Sequence, residues 1–392
     1  MPNKDKNIPK RRFKAFENAD AWELRKLKLL FIFKYGDGNN NPSNGGPYPV
    51  FGAGGVQGGY TEYNSENSII IGHMGDAGCV SWGEGKHFVT YNGTITRPKE
   101  EVFTAKFGYY LLSKMNLRQY RGGSGLPFLT YDMLNDMDTI VPTNKSECDK
   151  ISEFFSTLDQ QITLHQRKLD KLKNVKQAYL SEMFPAEGER VPKRRFPGFT
   201  DAWELRKLRN IFHNIENAFV GIVTPHYVSD GRFYLESNNI KDGQVNYETK
   251  VFISEEFYQR QKNKWLRAGD IVMVQSGHVG HSAVIPEELD CSAAHALIMF
   301  RKQKVKISSN FLNYQFQTKQ SKKKLDLITT GNTIKHILSS EMKEFNAYFP
   351  SLPEQSAIGT FFSTLDRQIT LHQRKLEKLK NLKKALLNEL FV

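Results

Sequence analysis

The segment IGTFFSTLDRQITLHQRKLEKLKNLKKALLNELF occupies residues 358–391, and residues 151–184 repeat it with 25 of 34 positions identical and no gap. A shorter pair lies upstream: PKRRFKAFENADAWELRKL (Pro9–Leu27) and PKRRFPGFTDAWELRKL (Pro192–Leu208). The chain is therefore two half-molecules in tandem, each with an upstream motif, a dissimilar middle region and the shared segment. A long repeat that occurs twice favours pseudo-two-fold symmetry over a solenoid of short units.

The repeated segment has apolar residues at every third and fourth position, which is typical of a coiled-coil helix. Pro142 and Pro350 mark its upstream boundary, and about 34 helical residues would span roughly 50 Å. The predicted seam comprises Phe155, Leu158, Ile162, Leu169, Leu172 and Tyr179 in the first copy, and Phe362, Leu365, Ile369, Leu376, Leu379, Leu386 and Leu390 in the second. A stripe of this length must be buried, and the other copy is the obvious partner.

The seam also carries polar positions, which are His165 and Lys176 in the first copy and His372 and Lys383 in the second. Polar residues in a seam set the register of the two helices, so we interpret the histidines in this way and not as metal ligands. Val175 and Leu382 lie beside the Lys positions, and we expect them to share the same layer. The alternative for either helix is an ordinary element of a helical bundle.

Composition predicts a globular protein, because 39% of the 392 residues are hydrophobic and 27 are Phe. Cys79, Cys148 and Cys291 are widely spaced and form no CxxC pair, which argues against a disulfide framework or a cysteine zinc site. A reducing cytoplasm fits this cysteine usage best. The sequence has no export signal and no run of 18 apolar residues, so we expect no membrane insertion.

The net charge of +13 favours a polyanionic partner. Residues 28–145 contain 10 Lys or Arg and 10 Asp or Glu, and residues 209–350 contain 18 and 14. The first middle region is thus neutral and the second mildly basic. Any binding of nucleic acid must therefore depend on placed residues, with part of the phosphate neutralisation supplied from elsewhere.

The two middle regions share a layout although they share almost no sequence identity. Each has an apolar strand that leads into a GxxG turn (Gly75–Gly78, Gly277–Gly280), and later a helix with a basic end followed by a polar loop containing glycine. The pattern predicts strands at 68–71, 88–90, 93–96, 270–274, 282–285 and 296–300, and helices at 103–117 and 310–320.

The basic loops and GxxG turns offer guanidinium groups, a stacking ring and flexible backbone donors, which is the mixture that contacts base edges and phosphates. The candidates for DNA binding in the first region are His73, Lys114, Arg118, Tyr120, Arg121 and Ser124. Those in the second region are Gln275, Ser276, His278, Lys322, Lys323, Lys324, Asn332, Thr333 and Lys335. The alternative is a solvated helix end with a glycine cap, and turn glycines of purely structural use.

Signatures of catalysis are missing from the sequence. No GxxxxGK followed by Ser or Thr occurs, and GEGK at 83–86 lacks the required spacing. A Pro-Pro pair, as expected after the Asn or Asp of an adenine methyltransferase, is also missing, as are HExxH and a nucleophile elbow. The Glu341 and Lys343 pair is too short a match to indicate a nuclease. We therefore predict no catalytic residue and no metal site.

Taken together, the paired DAWELRKL motifs, the string FPSLPEQSAIGTFFSTLDRQITLHQRKLEKLKNLKKALLNELF with its earlier copy, and the two divergent middle regions resemble one family closely. This family is the specificity subunit of type I restriction-modification systems, called HsdS, and the resemblance covers nearly the whole chain. The first copy departs from the pattern, because it reads VPTNKSECDKIS where the second reads FPSLPEQSAIG.

The resemblance implies an α+β fold with two globular mixed α/β target recognition domains in pseudo-two-fold tandem, separated by two long helices that form an antiparallel coiled coil. The expected domains are residues 1–149 with the first upstream motif, the spacer helix 150–184, a linker and second recognition domain at 185–356, and the spacer helix 357–392.

The resemblance also implies a function. Each recognition domain would read one half of a split, asymmetric site in double-stranded DNA, and the helices would fix the gap. The chain would carry no catalysis and no cofactor, and would bind two modification subunits and, through them, the restriction subunits. S-adenosylmethionine, ATP and Mg would be held by these partners. The competing hypotheses are a coiled-coil scaffold that binds proteins and a free-standing DNA-binding regulator.

Overall fold

The computed structural model describes residues 7–38, 41–99, 101–331 and 335–392. The chain divides into two compact units: unit 1 comprises Met1–Arg167 and Gln373–Val392, and unit 2 comprises Lys168–His372. Among the described residues we find no helix with the length and hydropathy needed to span a bilayer.

The helices of the described chain include two that are far longer than the rest. In chain order they are α1 (Leu27–Leu30), α2 (Ala105–Lys114), α3 (Tyr131–Asp136), α4 (Lys145–Glu182), α5 (Glu255–Arg260), α6 (Ser309–Gln317), α7 (Lys319–Leu327), α8 (Ser339–Glu344) and α9 (Leu352–Leu390). The 38 residues of α4 and the 39 of α9 contain the two copies of the repeated segment.

Unit 1 is built on one large sheet. Its strands are β1 (Glu23–Lys26), β2 (Phe31–Tyr35), β3 (Tyr48–Gly52), β4 (Gly55–Tyr60), β5 (Ser65–Gly72), β6 (Val80–Val89), β7 (Gly93–Pro98) and β8 (Asp138–Val141). Six of them form the sheet in the order β2-β7-β5-β6-β3-β4. The central strand β5 is buried on both faces: Ile69 and Ile71 pack into the core that contains α2, and Ile70 packs with Phe51 and Val89.

Unit 2 has a smaller main sheet and an additional one. Its strands are β9 (Glu204–Lys207), β10 (Phe212–Asn217), β11 (Tyr227–Val228), β12 (Arg232–Leu235), β13 (Ile240–Lys241), β14 (Gln244–Val245), β15 (Val251–Ile253), β16 (Ile271–Val274), β17 (Ser282–Val284), β18 (Ala293–Ala294), β19 (Leu297–Gln303) and β20 (Asn346–Phe349). The main sheet has the order β10-β19-β16-β17, and the second has the order β11-β15-β12-β18.

The two upstream motifs form the same corner in each unit. Strand β1 pairs antiparallel with β8, and β9 pairs antiparallel with β20. The motif tryptophans are buried, Trp22 at 2% exposure and Trp203 at 0%. Aromatic side chains of this size contribute heavily to a core, so each motif fixes its sheet and the start of a long helix to one another.

A buried ion pair is repeated at both corners. Arg12 donates from Nε to Glu147 Oε1 at 2.7 Å in unit 1, and Arg195 donates from Nε to Glu354 Oε1 at 2.8 Å in unit 2. The second donor of each guanidinium binds the other carboxylate oxygen. The departure of VPTNKSECDKIS from the repeat pattern therefore leaves this contact intact, because the glutamate itself is retained.

The helix segments of each unit run antiparallel. In unit 1 the ring centroids of Phe155 and Phe391 lie 6.2 Å apart, and Lys383 Nζ binds Asp159 Oδ1 at 2.5 Å. In unit 2, Lys176 Nζ lies 2.7 Å from Asp366 Oδ1, and the Tyr179 ring packs on Phe361. Residue numbers rise on one helix as they fall on the other, which is the antiparallel arrangement that the repeat predicts.

All predicted seam positions are buried or half-buried. The buried ones are Phe155, Leu158, Leu169, Phe362, Ile369, Leu376, Leu386 and Leu390. The expectation for Leu382 is wrong, since this side chain is 44% exposed while Val175 is half-buried. Lys383 occupies the seam position through its bond to Asp159, so the leucine before it points away from the pairing surface.

Candidate nucleic-acid interface

In unit 1 the GxxG turn lies directly against the loop that follows α2. We call residues 75–78 the first glycine turn and residues 114–128 the first basic loop. The Gly75 N–H donates to the Pro127 carbonyl at 2.9 Å, and the Leu129 N–H donates to the His73 carbonyl at 2.8 Å. Two segments separated in sequence thus form one continuous surface.

Unit 2 contains the same link between residues 277–280, the second glycine turn, and the second basic loop, a name that we use for the described residues 321–331 and 335–337. Residues 321–327 of this segment belong to helix α7. The Gly277 N–H donates to the Lys335 carbonyl at 3.1 Å, and the Ile337 N–H donates to the Gln275 carbonyl at 3.0 Å. These bonds correspond one to one with those of unit 1.

The two basic loops are also closed in the same way. Gly122 and Phe128 exchange two backbone hydrogen bonds, of 2.9 and 3.0 Å, and Thr330 and His336 exchange two of 2.9 and 2.8 Å. Side chains at several corresponding positions differ in chemistry, as for Arg118 and Asp326 or Arg121 and Thr329, whereas the backbone pattern is retained. The arrangement is therefore a common backbone frame that carries different side chains in the two units.

The structure places the candidates of unit 1 around this frame. Arg118, Tyr120, Arg121 and Ser124 are exposed on the first basic loop, and Lys114 is half-buried at the end of α2. All five lie on the segment from the last turn of α2 to the glycines of the loop.

His73 lies beneath the surface of unit 1 at 4% exposure. Its Nδ1 donates to the Leu129 carbonyl at 3.0 Å. Its ring packs against two tyrosine rings, with centroid distances of 4.2 Å to Tyr35 and 5.4 Å to Tyr91. The ring of Tyr131 in turn packs against Tyr35. Burial raises the pKa of Tyr35 above its ordinary value.

In unit 2 the turn candidates are held by neighbours. Ser276 Oγ lies 2.7 Å from His336 Nδ1, and His278 Nε2 donates to the Ser237 carbonyl at 3.0 Å. Gln275 is half-buried at the end of β16. Burial lowers the pKa of the adjacent His281, so this ring is neutral at pH 7 and can accept a hydrogen bond.

The lysines of the second basic loop differ in their surroundings. Lys322 and Lys335 are exposed. Lys323 Nζ lies 3.3 Å from Glu187 Oε2, and Lys324 lies over the Tyr348 ring at 5.8 Å from its centroid. The remaining candidates, Asn332 and Thr333, lie outside the described residues.

Two features of the interface were missed by sequence reasoning. One is the tyrosine cluster around His73, whose members come from three distant segments. The other is Asp76 in the first glycine turn, which binds Arg118: Arg118 donates from one terminal nitrogen to Asp76 Oδ2 at 2.8 Å. The spacing of the GxxG turn carries no signal for this pair, because its partner lies 42 residues away.

The described part of the chain has no group of three or more His, Cys, Asp or Glu side chains placed to hold a metal ion. The surface is instead one of exposed cations, amides and aromatic rings on a fixed backbone. Such a surface can donate hydrogen bonds to base edges and phosphate oxygens.

Comparison with known proteins agrees with this description. The family model described as "Type I restriction modification DNA specificity domain" matches residues 19–174 and 202–381. A curated relative, the type I restriction enzyme MjaVIII specificity subunit of Methanocaldococcus jannaschii, is 20% identical over 335 residues, covering 83% of this chain and 78% of that protein.

Solved structures show the same fold. The crystal structure of the type I restriction-modification S subunit of M. genitalium matches with a TM-score of 0.74 and 17% identity, over 98% of this chain and 99% of the other. A chain from a structure concerning complex assembly and conformational transition of the type I system matches with a TM-score of 0.50 and 16% identity, over 94% and 97%.

The fold and the family match define the class of protein as a DNA specificity subunit. The two matched segments span most of the chain and both repeats. This chain belongs to the family of type I restriction-modification specificity subunits, HsdS, and its role is recognition of a DNA sequence.

Proposed function

We propose that each unit of this chain reads one half of a bipartite, asymmetric DNA site within a type I restriction-modification complex. The observation that carries the proposal is the common backbone frame with unlike side chains. Where the loop of unit 1 has Arg118 and Arg121, the loop of unit 2 has Asp326 and Thr329 at the corresponding positions. Equal frames with unequal chemistry favour two different half-sites, since identical units would favour a palindrome.

The long helices set the gap between the half-sites in this proposal. Supporting it, α4 and α9 are continuous over 38 and 39 residues, which corresponds to more than 50 Å of helix. A rod of about 50 Å matches on the order of 15 base pairs of B-DNA, as an upper guide to the separation of centres.

Two modification subunits dock on the repeated parts of the chain. The upstream motifs and long helices form the same corner twice, with the same buried ion pair, so they offer equivalent surfaces to two copies of one partner. The modification subunits recruit the restriction subunits. S-adenosylmethionine, ATP and Mg belong to these partners, this chain contributes no catalytic group, and the complex acts in the cytoplasm.

Paired substitutions test the reading of each half-site. Arg121→Ala in the first basic loop and Lys322→Ala in the second each remove one exposed cation from one unit. We expect each to lower discrimination about tenfold in one half-site. The measurement is methylation of a randomised DNA library by the reconstituted complex. Each variant serves as the control of the other.

The result of this experiment distinguishes loops that read DNA from loops that have only a structural role. If both variants change the same half-site, or if either prevents assembly with the modification subunit, the loops are structural parts and not reading elements. A scaffold that binds only proteins would show no change of sequence preference in either variant. A free-standing regulator would bind its sequence tightly without any partner.

A further inference from the structure

The ion pair between Arg118 and Asp76 joins the two segments that form the frame of unit 1. The bond of 2.8 Å links the first basic loop to the first glycine turn, and the two side chains remain 51% and 39% exposed. A single exposed ion pair contributes little to stability, about 0–1 kcal/mol. Its stability contribution therefore does not explain why it lies at this position.

The backbone brings the pair together through glycine. A Cβ at position 78 would lie 2.7 Å from the Arg118 backbone nitrogen, and Gly78 has φ of +79°. Only glycine tolerates both the left-handed conformation and this approach. Arg118 is thus seated against the turn by its main chain, and Asp76, two residues before Gly78, receives its guanidinium.

Unit 2 forms the same frame without this pair. A Cβ at Gly280 would meet the Leu325 side chain at 3.3 Å, as a Cβ at Gly78 would meet the backbone of residues 117 and 118. Leu325 and Leu117 occupy corresponding positions in the two loops, because each lies five residues before the first residue of the closing pair, Thr330 or Gly122. Unit 2 therefore has Asp326 where unit 1 has Arg118.

The turn residue of unit 2 is also different. His278 occupies the position of Asp76 and donates to the Ser237 carbonyl. Because the backbone hydrogen bonds are retained in unit 2 with these other side chains, the frame does not need the ion pair. The ion pair occurs in unit 1 and not at the corresponding positions of unit 2, so it can serve the recognition of one half-site only.

We propose that Asp76 is a positioning residue that fixes the Arg118 guanidinium for recognition of a guanine in the half-site read by unit 1. This inference rests on the proposed function. Arginine has five N–H donors in a planar fork. One of them binds Asp76, and the exposure of half of the side chain leaves the fork accessible to a base edge. Guanine presents the O6 and N7 acceptors that match such a fork in the major groove.

A held arginine discriminates better than a mobile one. An unrestrained side chain loses rotamer freedom on binding, and it can turn toward a phosphate as readily as toward a base. A carboxylate at one end of the guanidinium limits these alternatives. It also repels a phosphate group that approaches the same end of the guanidinium.

The test is methylation of a randomised library by the complete complex that contains Asp76→Ala, Arg118→Ala or both. For Asp76→Ala we expect the preference for guanine at one position to fall about tenfold, with other positions and the second half-site unchanged. Arg118→Ala should remove the preference at the same position. The double variant should be no worse than Arg118→Ala, because Asp76 acts through the arginine. Asp76→Glu should restore part of the preference.

Glu84→Ala provides the matched control. It removes another exposed ion pair of unit 1, Lys106 with Glu84, at the opposite end of α2, and should leave all preferences as they are. The inference is overturned if Asp76→Ala keeps full discrimination, or loses it at all positions together with assembly. It is also overturned if the affected base is not guanine. Failure of the wild-type complex to methylate any bipartite sequence would instead overturn the proposed function.

Discussion

Asp366→Ala should destabilise unit 2 by about 3–5 kcal/mol, the loss that follows removal of one partner from a buried ion pair. Asp366 is 5% exposed and accepts from Lys176 and from the Tyr314 hydroxyl, at 2.9 Å in both cases. Its removal leaves the Lys176 charge, 8% exposed, without its carboxylate. The measurement is the free energy of unfolding in urea.

The repeat provides a matched control for this substitution. Asp159 has the corresponding contacts with Lys383 and Tyr110, but the ion pair is more exposed, with 31% for Asp159 and 20% for Lys383. Asp159→Ala should therefore cost only about 1–2 kcal/mol. In the double variant Asp366→Ala, Lys176→Met most of the loss should be recovered, because no buried charge remains. Equal losses at the two sites would contradict the role of burial.

A matched insertion of four residues after Leu172 and after Leu379 should move methylation to sites with a longer gap and abolish it at the original site. One helical turn adds about 6 Å to each helix, which corresponds to one or two base pairs at about 3.4 Å per pair. The insertions lie between Asp159 and Lys176 in α4 and between Asp366 and Lys383 in α9, so both ion pairs between the helices keep their partners.

The bases of both half-sites should stay unchanged in this variant, since neither frame is altered. Insertion of the same four residues after Gly188, in the segment that follows α4, is the control and should leave the gap as it is. Methylation profiling of cells that carry each variant measures both results. An unchanged gap in the helix variant would exclude the helices as the element that sets it.

The long helices could be predicted because a seven-residue repeat of apolar residues can be recognised within each segment of sequence by itself. The seam follows from the spacing of the apolar residues, and the positions of Lys176 and Lys383 in it follow from the repeat. The exposure of Leu382 was not predictable in this way, because it depends on which residue of a layer finds a partner on the facing helix, here Asp159 for Lys383.

The sheets were predictable only in part. Apolar runs such as Ile69–Ile71 indicate a buried strand, and the structure has β5 there. The second sheet of unit 2 gave no such signal, since its strands have two to four residues and β12 pairs in parallel with β18 from a segment about 60 residues away. Pairings of this kind depend on tertiary packing and not on local pattern.

The candidate interface, too, could be predicted only in part. The presence of a turn and a basic loop in each half could be predicted from glycine spacing and charge. The contact between Arg118 and Asp76, and the tyrosine cluster around His73, could not, because each joins segments that only the fold brings together. Sequence reasoning thus located the surface, whereas the structure identified which side chains act together on it.

The central claim is that this chain determines which DNA sequence the complex modifies. It is tested most directly by genome-wide adenine methylation profiling of cells that carry the chain with its modification subunit, compared with cells that lack only this chain. We predict methylation at one discontinuous sequence with two unlike halves, lost completely without the chain. Methylation that persists without it, or that falls on a continuous sequence or a palindrome, would contradict the account.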